Sequence, residues 1–380
     1  MISRSAWFDE DVQALYDVAE DFFVKEVTPH LDRHDAQKHV DRELWRKAGE
    51  VGLLCCSIPE QYGGGGGSFL HDAAVFQAQA ASGAINWGLS VHSGYVAHYL
   101  LAYGTEEQKH RWLPALSSGD MVGAIAMTEP GAGSDLKAMT TRALPVEGGY
   151  RVNGMKTFIT NGATCDLVVL AVKTDPGAGA RGMSLLVLET DALAGFVRGR
   201  TLEKMGLHGQ DTAELFFNDV FVPTSGLLGD EGAGFAMLMN QLVQERLVIG
   251  LQAVAAMESA LAQTIAYTKA RVVFDAPLFD KQNTRFELAE VATLTRAGRV
   301  FIDDCIIKHL DGKLDGATAA MCKWWLTDVQ FQVMDRCLQL FGGYGYMREY
   351  PISRMFTDAR VQRIYGGANE VMKEVIARSI

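Results

Sequence analysis

The sequence predicts a multidomain α+β protein of three consecutive parts, helical at both ends and rich in β-strand in the middle. Apolar residues recur at helical spacing before about residue 121 and again after about residue 231. Short runs of β-branched and aromatic residues, separated by turn residues, fill the interval. The length of 380 residues also exceeds one ordinary domain, so two or three packed units are expected.

Residues 1–121 are predicted to form an N-terminal helical domain. The five consecutive glycines at 63–67 are expected to form a loop, because helical spacing resumes directly after them in SFLHDAAVFQAQAA. A phosphate cradle is the alternative that these glycines leave open. Residues 73–105 contain no Asp, Glu, Lys or Arg, but Gln, Asn, Ser and His interrupt the run. Buried helices are therefore predicted here rather than a membrane span.

Residues 122–230 are predicted to form a middle β-domain. The segment YRVNGMKTFIT has β-type residues on both sides of Asn153 and Gly154, which predicts a hairpin with a type I′ turn. CDLVVLAVKT, GMSLLVLET and ELFFNDVFVP are further strand candidates. Several strands with hairpin spacing indicate a small barrel or a sandwich.

Residues 231–380 are predicted to form a C-terminal helical bundle. Residues 235–273 form a long apolar stretch that has no proline, and two further helical stretches follow. We find no internal repeat and no low-complexity tail in the sequence.

Charge and cysteine content exclude several classes of function. The formal net charge of −11 argues against a broad nucleic-acid surface, which needs a basic patch. The six cysteines form no C-x-x-C pair and no zinc-type spacing, so reduced thiols are expected. The N-terminal segment turns acidic at once and lacks an apolar or Arg-rich presequence. A cytoplasmic location is therefore expected.

The first informative motif is AMTEPGAGSDL, residues 126–136. Pro130, Gly131 and Gly133 predict a tight, irregular backbone, whose exposed N–H groups are able to meet anionic or carbonyl oxygens. The motif lacks the third glycine and the strand-to-helix setting of a dinucleotide fingerprint, and an ordinary surface turn remains the alternative.

This motif occurs together with GMKTFITNG at 154–162, KMGLHGQDTAELFFNDVFVP at 204–223 and QERL at 244–247. YTKARVVFDAPLFDKQNTRFELAE follows at 267–290, and LFGGYGY and RIYGGANE occur near the end of the chain. In this order and spacing the motifs resemble the acyl-CoA dehydrogenase family over nearly the whole chain. TEPGAGSD, FITNG, LFGGYGY and IYGGANE carry the resemblance most specifically.

The resemblance implies an N-terminal helical domain, a middle β-barrel domain and a C-terminal four-helix bundle. It implies FAD as cofactor and α,β-dehydrogenation of an acyl-CoA, as in fatty acid β-oxidation. In this reaction a carboxylate removes the α-proton while a hydride leaves the β-carbon for flavin N5. It further implies an electron-transfer flavoprotein as electron acceptor and a homo-oligomer, commonly a tetramer.

The resemblance also implies roles for individual residues, each of which taken alone has an ordinary structural explanation. Ser134, Arg246 and Tyr365 are implied to bind the substrate. Arg271 and Phe274 are implied to reach the FAD of a neighbouring subunit, as are several of the glutamines and glycines. The FAD contacts implied are Met127, Thr128, Ser134, Phe158, Thr160, Arg271, Phe274, Gln282, Gln339, Gly342 and Gly343. Asp275 and Ala368 depart from the family pattern, in which Gly and Thr are usual.

The main departure from the common family pattern is the position of the catalytic base. Many members carry a glutamate after the tyrosine of IYGG, where this chain has Gly366, and Glu370 is expected on a helix turned away. Glu245 lies among apolar residues at helical spacing, where desolvation raises a carboxyl pKa and makes it a better base. The alternative is that Glu245 pairs with a buried arginine.

The branch resembling isovaleryl-CoA and long-chain acyl-CoA dehydrogenases carries its base in the QERL context. The backbone N–H of Gly366 is then expected to donate to the thioester carbonyl. We also expect Gly366 to leave room for branched acyl groups. Three alternatives remain open: a carrier-bound acyl substrate, an oxidase that uses O₂, and a flavin-binding protein with little turnover.

Overall fold

The computed structural model describes Ser5 and residues 7–380, so predictions made for residues 1–4 and 6 lie outside it. The chain forms short helices, then a β-sheet, then longer helices. The three-part α+β fold predicted from the sequence is therefore confirmed.

The N-terminal part is a set of short helices in which α1 packs against α4 and α5 packs against α6; the side chains of α4 are mostly buried. A π-helix over Ser90–Val96 leads directly into α5. The charge-free segment thus forms buried helices, as predicted. The helices are α1 Glu10–Phe22, α2 Leu31–Gln37, α3 Arg42–Glu50, α4 Phe69–Ala81, α5 Ala97–Tyr103 and α6 Glu106–Ser117.

The glycine run 63–67 is a loop, as predicted, but its amides are not available to a ligand. Each of the five amides donates to a carbonyl of the preceding segment 55–60; Gly65 reaches Cys55 at 3.2 Å and Gly67 reaches Cys56 at 2.9 Å. A phosphate cradle needs free N–H groups. That alternative is therefore wrong.

The middle part is one mixed sheet with the strand order β6-β7-β3-β2-β4-β5-β8, in which β1 adds to β4 in parallel. Its two halves join through the single pair Arg142 and Lys173. No ladder joins β6 to β8 in the described part of the chain, so the sheet is more open than the barrel expected. The strands are β1 Gly123–Ala126, β2 Arg142–Val146, β3 Gly149–Thr160, β4 Leu167–Lys173, β5 Met183–Glu189, β6 Phe196–Thr201, β7 Thr212–Pro223 and β8 Leu227–Leu228.

The hairpin predicted at Asn153 and Gly154 is wrong, because both residues lie inside β3. The turn between β2 and β3 is at Glu147 and Gly148, where Gly148 has φ 77°. The register of β3 against β7 instead shifts between Val152 and Gly154. A Cβ on Gly154 would lie 2.4 Å from Thr141 Oγ1. Close approach of two strands, rather than a turn, requires this glycine.

The C-terminal part is built on α7, a helix that is buried on all sides over residues 244–257. It packs against α4, α8 and α9. Among the described residues, α7 is the one helix long and apolar enough to cross a membrane, and 72% of its most apolar window is buried inside the protein. The elements are α7 Gly234–Ala270, β9 Val272–Val273, β10 Ala276–Pro277, α8 Gln282–Leu310, α9 Gly316–Phe341, α10 Pro351–Gln362 and α11 Asn369–Ala377.

Replacing Gly154 by Ala is expected to destabilise the fold by about 1–3 kcal/mol, because the added methyl group has no space beside Thr141. Urea unfolding followed by circular dichroism measures this. Gly316→Ala is the matched control, because nothing lies within 4 Å of its added Cβ. Equal midpoints for the two variants would contradict the explanation given for Gly154.

Candidate active site

A cavity of about 440 Å³ lies where the three parts of the chain meet. Its walls come from the turn after β1, the end of β3, the middle of α7 and the loop between α10 and α11. One group of the residues singled out from the sequence lines this cavity: Met127, Thr128, Ser134, Phe158, Thr160, Glu245, Arg246, Tyr365 and Gly366.

Glu245 is buried in the wall that α7 contributes, and its carboxylate is held by a tyrosine rather than by a cation. Tyr99 Oη donates to Glu245 Oε1 at 3.0 Å. Burial raises the pKa of Glu245 to about 7, and the Tyr99 hydrogen bond and Arg246 offset only part of that rise. No cationic group lies within 4.0 Å of this carboxylate in the described part of the chain, so the arginine-pair alternative is wrong. Glu370, in contrast, is exposed on α11.

Gly366 lines the same cavity with a free backbone amide. Its φ is 62°, and its N–H has no protein acceptor within the described residues. The expectation that Gly366 leaves room for branched acyl groups concerns the bound substrate and stays a prediction. A Cβ at position 366 would lie 2.4 Å from Ile249 Cδ1, so the isoleucine fills the space that a side chain would need.

A buried ion pair holds the backbone of the turn after β1. Lys156 Nζ donates to Glu129 Oε1 at 2.9 Å and to the Met127 carbonyl at 2.9 Å. The Glu129 carboxylate also accepts from the Thr140 and Thr141 amides. Burial raises the pKa of Glu129, but Lys156 and these hydrogen bonds outweigh it and hold the pKa at about 2. The pair thus keeps its charge and fixes the backbone at Met127.

Phe158 is turned into the cavity by an irregularity in β3. The register against β7 breaks between Lys156 and Ile159, and Phe158 adopts φ 60°, a conformation unusual for a bulky residue. Its ring remains 67% exposed. Such strain is commonly held in place at functional sites. The neighbouring Thr128 hydroxyl has no partner within the described part of the chain, so the site offers a flat apolar ring beside a free polar group.

Arg246 follows Glu245 on α7 and also lines the cavity. It is 8% exposed, and its Nε has no hydrogen-bond partner among the residues that the structure describes. Burial lowers the pKa of Arg246, and Glu245 offsets this effect. A buried guanidinium without a partner is costly, so this side chain is suited to an oxygen-rich ligand.

A second group of the predicted residues lies apart from the cavity. Arg271, Gln339, Gly342 and Gly343 line another depression, of about 770 Å³, together with Tyr344. Phe274 and Gln282 are exposed nearby in the chain, and Phe274 is 92% exposed. The structure therefore does not bring these residues together with Glu245 in one chain.

The structure explains why glycine is usual where this chain has Asp275. Phe274 and Asp275 have φ values of 48° and 61°, in the left-handed region. Glycine adopts that region without strain, and aspartate tolerates it better than most residues. The departure therefore preserves the local backbone conformation.

Several site residues were missed in the sequence. Tyr99, the Glu129–Lys156 pair and Ile249 emerge only from the structure. A signal existed for one of them: Tyr95, Tyr99 and Tyr103 recur every four residues within the charge-free segment, which places three hydroxyls on one helix face.

The fold therefore places a buried carboxylate and, within the described residues, an unpartnered amide in one pocket between three parts of the chain. Three family models match the chain: "Acyl-CoA dehydrogenase, N-terminal domain" over residues 9–120, "middle domain" over 124–220 and "C-terminal domain" over 232–380. The chain belongs to the acyl-CoA dehydrogenase family.

Individual relatives agree with this assignment. The chain is 45% identical over 361 residues to the mitochondrial long-chain specific acyl-CoA dehydrogenase of Mus musculus, covering 94% of this chain and 84% of that protein. It is 33% identical to the mitochondrial isovaleryl-CoA dehydrogenase of Oryza sativa, covering 100% and 93%. An acyl-CoA dehydrogenase structure from Geobacillus kaustophilus superposes with a TM-score of 0.96 at 44% identity, covering 99% of both chains.

Members of this family are FAD-dependent flavoproteins, and the cavity fits the cofactor. The exposed Phe158 ring provides a surface on which an aromatic ring system can stack. The unpartnered Thr128 hydroxyl and the Thr160 hydroxyl lie on the same wall as possible hydrogen-bonding partners. The residues present are therefore consistent with an FAD site.

Replacing Glu245 by Gln is expected to raise stability at pH 8 by about 2–4 kcal/mol. The folded-state pKa of about 7 exceeds the unfolded value of 4.5, so stability is lost as the pH rises from the unfolded to the folded pKa and stays low above it. Thermal unfolding at pH 5 and pH 8 measures the effect, which should be small at pH 5 and close to its full size at pH 8.

The same substitution elsewhere on α7 provides the control. Glu258→Gln breaks the 2.7 Å ion pair with the buried Arg299 and is expected to lower stability at both pH values. Destabilisation by Glu245→Gln at pH 8 would show that the Glu245 carboxylate is not strained by its burial.

Proposed function

We propose that this chain oxidises an acyl-CoA thioester to the trans-2-enoyl-CoA, with Glu245 as the base that removes the α-proton. The observation that carries the proposal is the shared cavity, in which a buried carboxylate with raised pKa lies together with the unpartnered amide of Gly366. An amide that binds the thioester oxygen makes the α-proton more acidic, and a carboxylate of high pKa accepts it more readily.

Several residues of the chain have separate roles in this reaction. The Gly366 N–H binds the thioester oxygen and stabilises the negative charge that develops there. Arg246 provides a cation for an oxygen of the substrate, and Ser134 and Tyr365 line the path of the substrate. FAD, when bound by Met127, Thr128, Phe158 and their neighbours, supplies the acceptor for the hydride from the β-carbon. Glu245 takes the α-proton and holds it.

The base is tested by anaerobic titration with a panel of straight and branched acyl-CoAs, monitored by flavin absorption. The wild type is expected to bleach, and Glu245→Gln is expected to lose at least about 10³-fold in rate, because a general base is removed. Glu370→Gln is the matched control and should bleach like the wild type, because Glu370 is exposed on α11. Equal bleaching in the wild type and Glu245→Gln would contradict the assignment of Glu245 as the base.

Replacing Tyr99 by Phe is expected to shift the pH dependence of flavin reduction upward by about one unit. The Tyr99 hydroxyl favours the charged carboxylate, so its loss raises the pKa of Glu245 further above 7, and the base becomes active only at higher pH. Reduction rates between pH 5.5 and 9 measure the midpoint. Tyr103→Phe removes a hydroxyl that bonds only the Met237 carbonyl, at 3.4 Å, and should leave the midpoint in place.

We further propose that the second group of residues serves the FAD of a neighbouring subunit in a homo-oligomer, as in a tetramer. Arg271, Gln339 and Gly342 lie around an open depression apart from the cavity, and Phe274 is exposed nearby in the chain. Arg271→Ala should lower flavin content without changing the secondary structure. An Arg271→Ala protein with full flavin content would contradict this assignment.

Two further proposals concern the electron acceptor and the cellular compartment. We propose an electron-transfer flavoprotein as acceptor and a cytoplasmic location, which agrees with six free, buried cysteines. Slow reoxidation of the reduced enzyme by O₂, with fast reoxidation by an electron-transfer flavoprotein, is the expected result. Fast reoxidation by O₂ would favour an oxidase, and bleaching only by carrier-bound thioesters would favour a carrier-linked dehydrogenase.

A further inference from the structure

The loop that presents Gly366 is composed of residues that do not hold a conformation by themselves. Gly366 and Gly367 are consecutive, with φ values of 62° and 90°. Glycine has the largest conformational freedom of all residues. An amide that must point at one oxygen atom therefore needs support from outside the loop.

Lys323 on α9 contacts this loop from the protein interior. It is fully buried, and its Nζ donates to the Gly367 carbonyl at 2.6 Å and to Asn369 Oδ1 at 2.8 Å. The Gly367 carbonyl is one residue from the amide that binds substrate in the proposed function. A single ammonium group thus connects the glycine turn and the first residue of α11 to one turn of α9.

The rest of the network fixes both ends of the loop to the same stretch of α9. Asn369 Nδ2 donates to Thr327 Oγ1 and to Asp328 Oδ1, each at 3.0 Å. Arg363, at the start of the loop, forms an ion pair with Asp328 at 2.6 Å. Between these ends, Lys323 is the side chain that donates a hydrogen bond to the glycine turn within the described part of the chain.

Structural stability does not account for a lysine at this position. No carboxylate oxygen lies within 4.0 Å of the Lys323 ammonium in the described part of the chain, so both of its partners are neutral. Burying an amine without an ion partner costs free energy, and an apolar side chain of the same length would fill the space without that cost.

The Lys323 amine can donate to both of its acceptors whether or not it is protonated. Burial lowers the pKa of Lys323 to about 7; Arg246 on α7 and Arg363 act in the same direction, and Asp328 and Glu370 act against it. An ammonium group has three hydrogens and a neutral amine has two, so both states supply donors for the two acceptors.

We infer that Lys323 is a positioning residue, whose buried amine holds the Gly366–Gly367 turn so that the Gly366 amide points at the substrate carbonyl. This inference rests on the proposed function, in which the Gly366 amide binds the thioester oxygen. It predicts that removing the amine impairs the polarisation of the carbonyl and the limiting rate, and spares the stability of the fold.

Lys323→Met tests the inference with two readouts. The first is the infrared band of a ¹³C-carbonyl-labelled trans-2-enoyl-CoA bound to the oxidised flavoprotein, which moves to lower frequency when an N–H donates to the carbonyl oxygen. The second is the rate of anaerobic flavin reduction at saturating acyl-CoA. Lys323→Met should move the band toward its position in free ligand and lower the rate about 10- to 100-fold. Its melting temperature should equal or exceed that of the wild type.

Gln330→Met is the matched control. Gln330 is a buried polar residue two helical turns further along α9. Within the described residues its amide oxygen has no partner, and its side chain makes no hydrogen bond to the loop. This variant should keep the wild-type band and rate. A wild-type band and rate in Lys323→Met would overturn the inference, as would a loss of rate explained entirely by lost flavin or lower melting temperature.

A second variant applies if Lys323→Met does not fold. Asn369→Ala removes one of the two acceptors and should shift both readouts in the same direction by a smaller amount; an unchanged band and rate would overturn the inference. Wild-type protein that no acyl thioester bleaches would refute the proposed function separately, and the band comparison would still decide whether Lys323 positions the amide.

Discussion

The burial of the Glu245 carboxylate without a cation partner is the constraint on which the rest of the site depends. Helix α7 passes between the N-terminal helices and α9, so its middle is enclosed on all sides, and any charged group there loses its water. Tyr99 supplies one hydrogen bond, which keeps the group oriented without removing the strain. The same packing that stabilises the helix therefore produces a carboxyl group that binds a proton near neutral pH.

Two buried lysines hold the backbone on opposite sides of the site. The Glu129–Lys156 ion pair fixes the turn after β1 on one side, and Lys323 contacts the glycine turn on the other. Both lysines lie behind the backbone that they hold, at full burial, and neither lines the cavity. The backbone of the turn after β1 and of the glycine turn is thus held by charged residues that lie outside the cavity lining.

The sequence predicted much of the fold and part of the site, for identifiable reasons. Period and composition predicted three parts correctly, and an acid among apolar residues marked Glu245. The hairpin at Asn153 and Gly154 was wrong because turn statistics describe local preferences, whereas Gly154 is required by a distant contact with Thr141. The spacing of the tyrosines places Tyr99 on one helix face but does not identify its partner, and Lys323 has no such signal, because both contacts form between helices that come together only in the folded chain.

The contact between Gly366 and Ile249 has a consequence for how such sites change during evolution. A glutamate at position 366 would place its Cβ 2.4 Å from Ile249 Cδ1. Ile249 lies on α7, one helical turn after Glu245. A side chain at position 366 therefore requires that the end of Ile249 moves or becomes smaller, and it must also tolerate the left-handed backbone at φ 62°. A carboxylate on α7 and a glycine on the loop are thus linked through Ile249, so a change at position 366 calls for an accommodation at position 249.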